Sequence, residues 1–278
     1  MFDRIGTLGL TALCLGMFPF EAVGQDAPNL QFVPGLQDCP LLYRKDQARI
    51  TLSGAATAAL DDLGPGPLFG AELRGAYALT DRIGLVGGGY LYHLDRTEVG
   101  YTFGGAFPVT TEYRYQGDWR FAEVGAGTFR LFSGNWIGEV YGLVGMGATR
   151  NEFPDGYWMS SDMVSLAVQP IIGRASGYLE YAFSSRFRYF DLLGFRSADQ
   201  PTNYMSDFDW TLVQQGPFLI WEPSLMIRGG WQRTRVTFQV GYCGDVLGTG
   251  PMIQADLTLG LGLCLWLPGK RTQEAPEP

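Results

Sequence analysis

The connections between segments constrain this chain more than any residue in it. Between about residues 48 and 266, polar and apolar residues alternate in ten segments, at 48–59, 68–79, 83–94, 119–131, 136–149, 163–174, 178–193, 218–230, 235–243 and 252–266. Short turns such as Thr80-Asp81-Arg82, Phe132-Ser133-Gly134-Asn135, Ala175-Ser176-Gly177 and Trp231-Gln232-Arg233-Thr234 alternate without exception with the mostly longer connections 61–67, 95–118, 150–162, 195–216 and 244–250. A period of two is the period of a strand. A water-soluble sandwich has no reason to sort its connections by length. A barrel that crosses a membrane has short turns on one side and longer loops on the other, and an even number of strands. The expected fold is therefore all-β, a closed antiparallel transmembrane β-barrel of about ten strands, with eight and twelve as the neighbouring counts.

The two faces of the segments differ in a way that suits lipid outside and a narrow lumen inside. Leu179, Tyr181, Phe183, Phe187 and Tyr189 share one face of the seventh segment, against Glu180, Ser184, Arg186 and Arg188 on the other. The eighth sets Leu219, Trp221, Leu225 and Ile227 against Glu222, Ser224 and Arg228, and the ninth sets Val236, Phe238, Val240 and Tyr242 against Arg235, Thr237 and Gln239. The ionisable residues assigned to the lumen are Arg49, Glu72, Arg74, Glu123, Glu139, Glu180, Arg186, Arg188, Glu222, Arg228 and Asp256. Six acids and five bases nearly cancel. In a lumen narrow enough to be filled by side chains, buried charges must pair, so the expectation is a closed, charge-paired interior. Trp136, Trp231 and Trp266 fall at the short-turn ends of their strands, and Trp119, Tyr189, Trp221, Tyr92 and Tyr242 towards the other ends, as in two interfacial girdles. Trp266 falls on the inward parity of its strand, against that pattern, and the faces of 83–94 and 119–131 are poorly patterned. Pro170 and Pro223 fall inside strands and should each mark a bulge.

Composition narrows the classes further. Glycine makes up 39 of 278 residues, about twice the ~7% average, and charged residues only 17%. The net charge of −8 argues against nucleic-acid binding, which needs basic patches. Four cysteines without a CxxC pair argue against a structural zinc site, and no metal or cofactor is expected. Residues 1–24 read as a signal peptide, ending in the small-x-small site Ala22-Val23-Gly24. Residues 25–46, with Pro28, Pro34 and Pro40, read as a periplasmic lead-in, 47–267 as the barrel and 268–278 as a flexible tail. Because first and last strands adjoin in a closed barrel, a Cys39–Cys264 disulfide is sterically plausible in an oxidising compartment.

The long connections hold thirteen acids against four bases. Expected partners are outer-membrane lipid and lipopolysaccharide, with divalent cations at the acidic loops, since Ca²⁺ prefers carboxylate oxygens. Asp207-Phe208-Asp209 and His93-Leu94-Asp95 are similar to the paired motifs of omptin-family outer-membrane proteases, but the histidine pair is reversed and the loops are swapped. Cys39-Pro40-Leu41-Leu42, the strand end Gly75-Ala76-Tyr77-Ala78-Leu79-Thr80-Asp81 and Ser184-Ser185-Arg186-Phe187 resemble uncharacterised outer-membrane β-barrel proteins of Gram-negative bacteria. The resemblance spans about 35–266. It implies an exported outer-membrane barrel and no activity. The expected role is structural or surface interaction. A narrow, porin-like channel for small solutes is the second reading and a loop-borne hydrolase the third.

Overall fold

The computed structural model describes residues 32–58, 68–104, 107–152, 156, 158–197, 217–231, 233–246 and 256–268. Its strands are β1 (Ala48–Ala58), β2 (Leu68–Ala78), β3 (Ile83–Gly104), β4 (Phe107–Leu131), β5 (Trp136–Glu152), β6 (Trp158–Ser176), β7 (Leu179–Ser197), β8 (Phe218–Trp231), β9 (Thr234–Tyr242), the two-residue β10 (Gly244–Asp245) and β11 (Leu257–Leu267). Each pairs antiparallel with its sequence neighbour from β1 to β9, β9 pairs with β11, and β11 closes the ring on β1 through Ala48↔Leu267 to Ala58↔Leu257. The short β10 continues β9 against the far end of β8. The result is a closed ten-stranded barrel whose ring satisfies the backbone donors and acceptors of its wall internally.

Alternation places the side chains as the period of two requires. Leu52, Leu73, Val144, Leu166, Leu225, Ile227, Leu261 and Leu263 are exposed on the outer surface, while Glu72, Arg74, Glu180, Arg186, Arg188 and Arg228 are buried inside. Strands β1, β2 and β11 have 11 residues each, about the length that crosses a hydrocarbon layer at a tilt. The belt of exposed aliphatic groups is too broad for a monomer in water. No helix is long and apolar enough to cross a membrane, which says nothing of strands.

Three expectations change here. The connection expected at 95–118 is largely strand: β3 and β4 remain paired from Ile83↔Thr128 out to Gly104↔Phe107. Beyond Gln116↔Glu152, where β4 leaves β5, they form a two-stranded ribbon. The run Val99 to Tyr115 is rich in β-branched and aromatic residues, which favour strand even where no second neighbour pairs. The prolines do not mark bulges. Pairing of β6 with β7 lapses at Gln169 and Pro170 and resumes in the same register, and the shift in this pair lies at Ser160/Asp162 instead. Pairing of β8 towards β9 and β10 lapses similarly beside Pro223. A proline lacks one donor, and skipping one rung on one side accommodates it without displacing the chain.

The third change is the largest. The segment expected as a periplasmic lead-in lies, from Phe32 to Leu42, inside the barrel. Phe32, Val33, Leu36, Cys39, Leu41 and Leu42 are all buried. Phe32 meets Phe190 near the long-loop end, with ring centroids 4.9 Å apart. Tyr43 meets Trp266 at the short-turn end, at 6.4 Å. The strap therefore runs down the whole lumen before Asp46, in the left-handed region at φ 60°, reverses the chain into β1. The apolar residues Phe32, Val33, Leu41 and Leu42 make the lumen a better place for it than water.

Candidate functional site

The lumen is the site that the sequence points to, and the strap determines what its charges do. Glu222 on β8 and Glu123 on β4 face Arg186 and Arg188 on β7. Arg186 reaches Glu123 at 2.7 Å and also contacts Glu222, and Arg188 reaches Glu123 at 2.8 Å and Glu222 at 3.3 Å. Two acids and two bases thus neutralise one another in the half nearer the long loops. Arg188 also lies over the Phe121 ring, 4.9 Å from its centroid, an attractive cation–π arrangement. Nearer the short turns, Glu180 takes Arg49 at 2.5 Å, Arg228 at 3.1 Å and Arg235. Between the two clusters Arg74 lies 3.7 Å from Glu72.

The same side chains hold the strap by its backbone. Both oxygens of Glu72 accept from the Leu36 amide, at 3.0 and 3.1 Å, and Tyr92 donates to the same carboxylate at 2.5 Å. Glu139 accepts from the amides of Leu41 at 3.1 Å and Leu42 at 2.6 Å. Strap carbonyls are taken in turn: Val33 by Tyr90, Pro34 by Thr258, Gly35 by Arg186, Gln37 by Arg74, Asp38 by Gln169, Cys39 by Arg228 and Leu41 by Arg49. An extended segment in a lumen has no strand partner for its polar groups, and leaving them unpaired would be costly. Polar side chains of the wall supply the partners, and the four arginines among them make hydrogen bonds stronger than neutral ones.

Glycines clear the path. A Cβ at Gly260 on β11 would overlap Leu36 Cδ1, and one at Gly173 on β6 would lie 2.6 Å from Leu41 Cδ2. Beside the strap, the space between Leu36, Asp38, Glu72, Arg74 and Glu123 is about 20 Å³, room for roughly one water.

Of the residues assigned to the lumen from sequence, Arg49, Glu72, Arg74, Glu139, Glu180, Arg186, Arg188, Glu222 and Arg228 are fully buried there, and Glu123 nearly so. Asp256 is half-buried just before β11, at the long-loop rim, where its carbonyl accepts from the Cys243 amide at 2.8 Å. Arg235 was missed, although it shares parity with Thr237 and Gln239. Trp119 and Tyr92, expected in an interfacial girdle, are buried with Phe32 and Phe121, because their parity on β4 and β3 is inward. Trp266 is also inward, under Arg235 and Arg49.

The Cys39–Cys264 bridge that is sterically plausible from the sequence is not formed here. Both thiols are buried and in no disulfide, and the Cys243 thiol is likewise buried and unbridged. Cys39 belongs to the strap, where Arg228 holds its carbonyl, while the Cys264 thiol turns to the Leu265 carbonyl of its own strand. His93 bonds Asp118 at 2.9 Å on the exposed side of the β3–β4 pair; Asp207 and Asp209 lie outside the described residues. Among the described residues no group of histidine, cysteine and carboxylate side chains is arranged to hold a metal ion.

No protein-family model and no curated protein matches the chain. Solved structures similar to it are outer-membrane barrels at low identity. The β domain of the Bordetella autotransporter BrkA is 11% identical, covering 80% of this chain and 99% of that one with a TM-score of 0.41. A major outer membrane protein of Thermus thermophilus is 13% identical, covering 79% and 99% with a TM-score of 0.37. Ail, the attachment invasion locus protein of Yersinia pestis, is 13% identical, covering 80% and 99% with a TM-score of 0.32. Any function must come from the geometry.

Proposed function

We propose that this chain is an outer-membrane barrel sealed by its own N-terminal strap, with a structural or surface-interaction role rather than a conducting one. The strap occupying the lumen from end to end carries the reading. An aqueous pore through a barrel of this size would have to displace the segment from Phe32 to Leu42, whose backbone is bonded to the wall. The exposed aliphatic belt supports the location, because lipid covers it at no cost whereas water does not. On this reading the short turns face the periplasm and the β3–β4 ribbon stands outside the cell. Lipopolysaccharide around the barrel, with divalent cations at its acidic loops, is the accompanying surface chemistry.

Conductance tests the seal. The full chain inserted in a planar lipid bilayer should show no steady open level, and a variant lacking residues 25–43 should open one. Steady conductance by the full chain would overturn the reading.

A further inference from the structure

The short-turn end of the barrel opens into a vestibule of about 820 Å³, between the strap's exit and the turns after β6 and β8. Its charged lining is Arg44, Arg233, Arg235 and one carboxylate, Glu180. That carboxylate is already shared by Arg49, Arg228 and Arg235. Arg49 and Arg228 also interact with the buried carboxylates of Asp38 and Glu139, so the surplus positive charge is that of Arg44 and Arg233, which no carboxylate among the described residues pairs. Among the described acids nearby, Asp38 acts on Arg74, Arg228 and Arg49 deeper in the lumen, and three more are engaged elsewhere. Glu139 accepts from the Leu41 and Leu42 amides, Asp81 from the Lys45 amide, and Asp46 from the Tyr77 hydroxyl.

Unpaired donors converge on the same space. Nε of Arg44, Nε of Arg235 and Nε1 of Trp266 line or border the vestibule, and each is buried without an acceptor among the described residues. Nε of Arg49, behind the Trp266 ring, is in the same condition. Arg235 is 3% exposed. Buried donors without acceptors are rare, and four in one neighbourhood, under a surplus of positive charge, describe a site lacking its acceptor. The Trp266 ring sets the spacing, with the Arg235 guanidinium carbon 4.9 Å and that of Arg49 5.9 Å from its centroid.

We propose that this vestibule binds an oxyanion, a phosphate or carboxylate group that enters from the short-turn side. Only an oxygen acceptor carrying negative charge satisfies both the orphaned N–H groups and the excess charge, and guanidinium forks suit such groups in particular. The proposal does not depend on whether the lumen conducts.

Titration calorimetry on the full chain folded in detergent tests it, with inorganic phosphate and succinate as probes at constant ionic strength. Saturable binding of at least one probe is expected. Arg44→Gln with Arg233→Gln should weaken it tenfold or more, and Arg233→Gln alone should weaken it measurably. Arg233 is exposed, so its loss leaves the fold intact, which heat-modifiable gel mobility verifies. Arg150→Gln, near the long-loop end, should change nothing. Preference for phosphate or for succinate assigns the source of the anion. Absence of saturable binding, or affinity indifferent to both arginine variants, would overturn the proposal. So would binding seen only after truncation at Pro268, because the tail's own carboxylates would then be the occupant.

Discussion

Leu41 shows at the scale of one residue how the strap is fixed. Its φ of 50° is unusual for a large side chain and costs on the order of 1–3 kcal/mol. That conformation lets two successive amides, those of Leu41 and Leu42, point at one carboxylate, Glu139, while Arg49 takes the Leu41 carbonyl. Replacing Glu139 with Ala leaves two buried amides without an acceptor. At about 1–3 kcal/mol each, denaturant unfolding in micelles should register a loss of roughly 2–6 kcal/mol. Gly260→Val acts by volume, because its branched side chain would enter the space held by Leu36. The strap should become accessible to protease in a barrel that still shifts on gels. Cys39, Cys243 and Cys264 are buried and form no disulfide. Intact mass should not change with reductant, and maleimide should label them only after unfolding.

At the scale of the element, the wall strands and the strap obey different rules. A wall strand has an outer face against an apolar medium and an inner face against polar groups, so alternation identifies it. That pattern located β1 to β9 and β11 in the sequence, and the parity of Glu180, Arg186 and Arg188 was readable from β7 alone. The strap has no such pattern, because its surroundings are the lumen on every side and its prolines prevent a regular ladder. Phe32-Val33 and Leu41-Leu42 were the available signal, four large apolar residues in a segment read as solvated. The β3–β4 ribbon is the converse case. Its strands continue past the last neighbour, and the Arg114 hydrogen bond holds the Asp95 carboxyl below its usual range. This cross-strand pair should persist at neutral pH and be lost only as pH falls below the ordinary aspartate range, since a depressed carboxyl pKa stabilises above that range. Amide protection in the ribbon, taken relative to the intrinsic exchange rate at each pH, should fall there, modestly for so exposed a pair.

For the whole molecule, closure and filling are separate facts. The ring of ten paired strands removes the edges of the barrel wall, and the strap removes the cavity that closure creates. Heat-modifiable mobility on gels should accompany the full chain, and a well-behaved monomer in detergent-free buffer would contradict the exposed belt. Removing Glu180 should be felt across the lower lumen. Glu180→Ala leaves Arg49, Arg228 and Arg235 facing one another, and breaking a buried pair in this way costs on the order of 3–5 kcal/mol; equilibrium unfolding in micelles would measure it. The sequence by itself determined a closed all-β barrel of about ten strands and the two faces of its best-patterned strands, because a period of two and alternating connection lengths are local properties. Only the tertiary structure decided which acid meets which base, that a segment before the first strand lies in the lumen, and that Arg44, Arg235 and Trp266 share a vestibule. Those depend on distances between residues far apart in the chain, which the closed ring sets and no local pattern encodes.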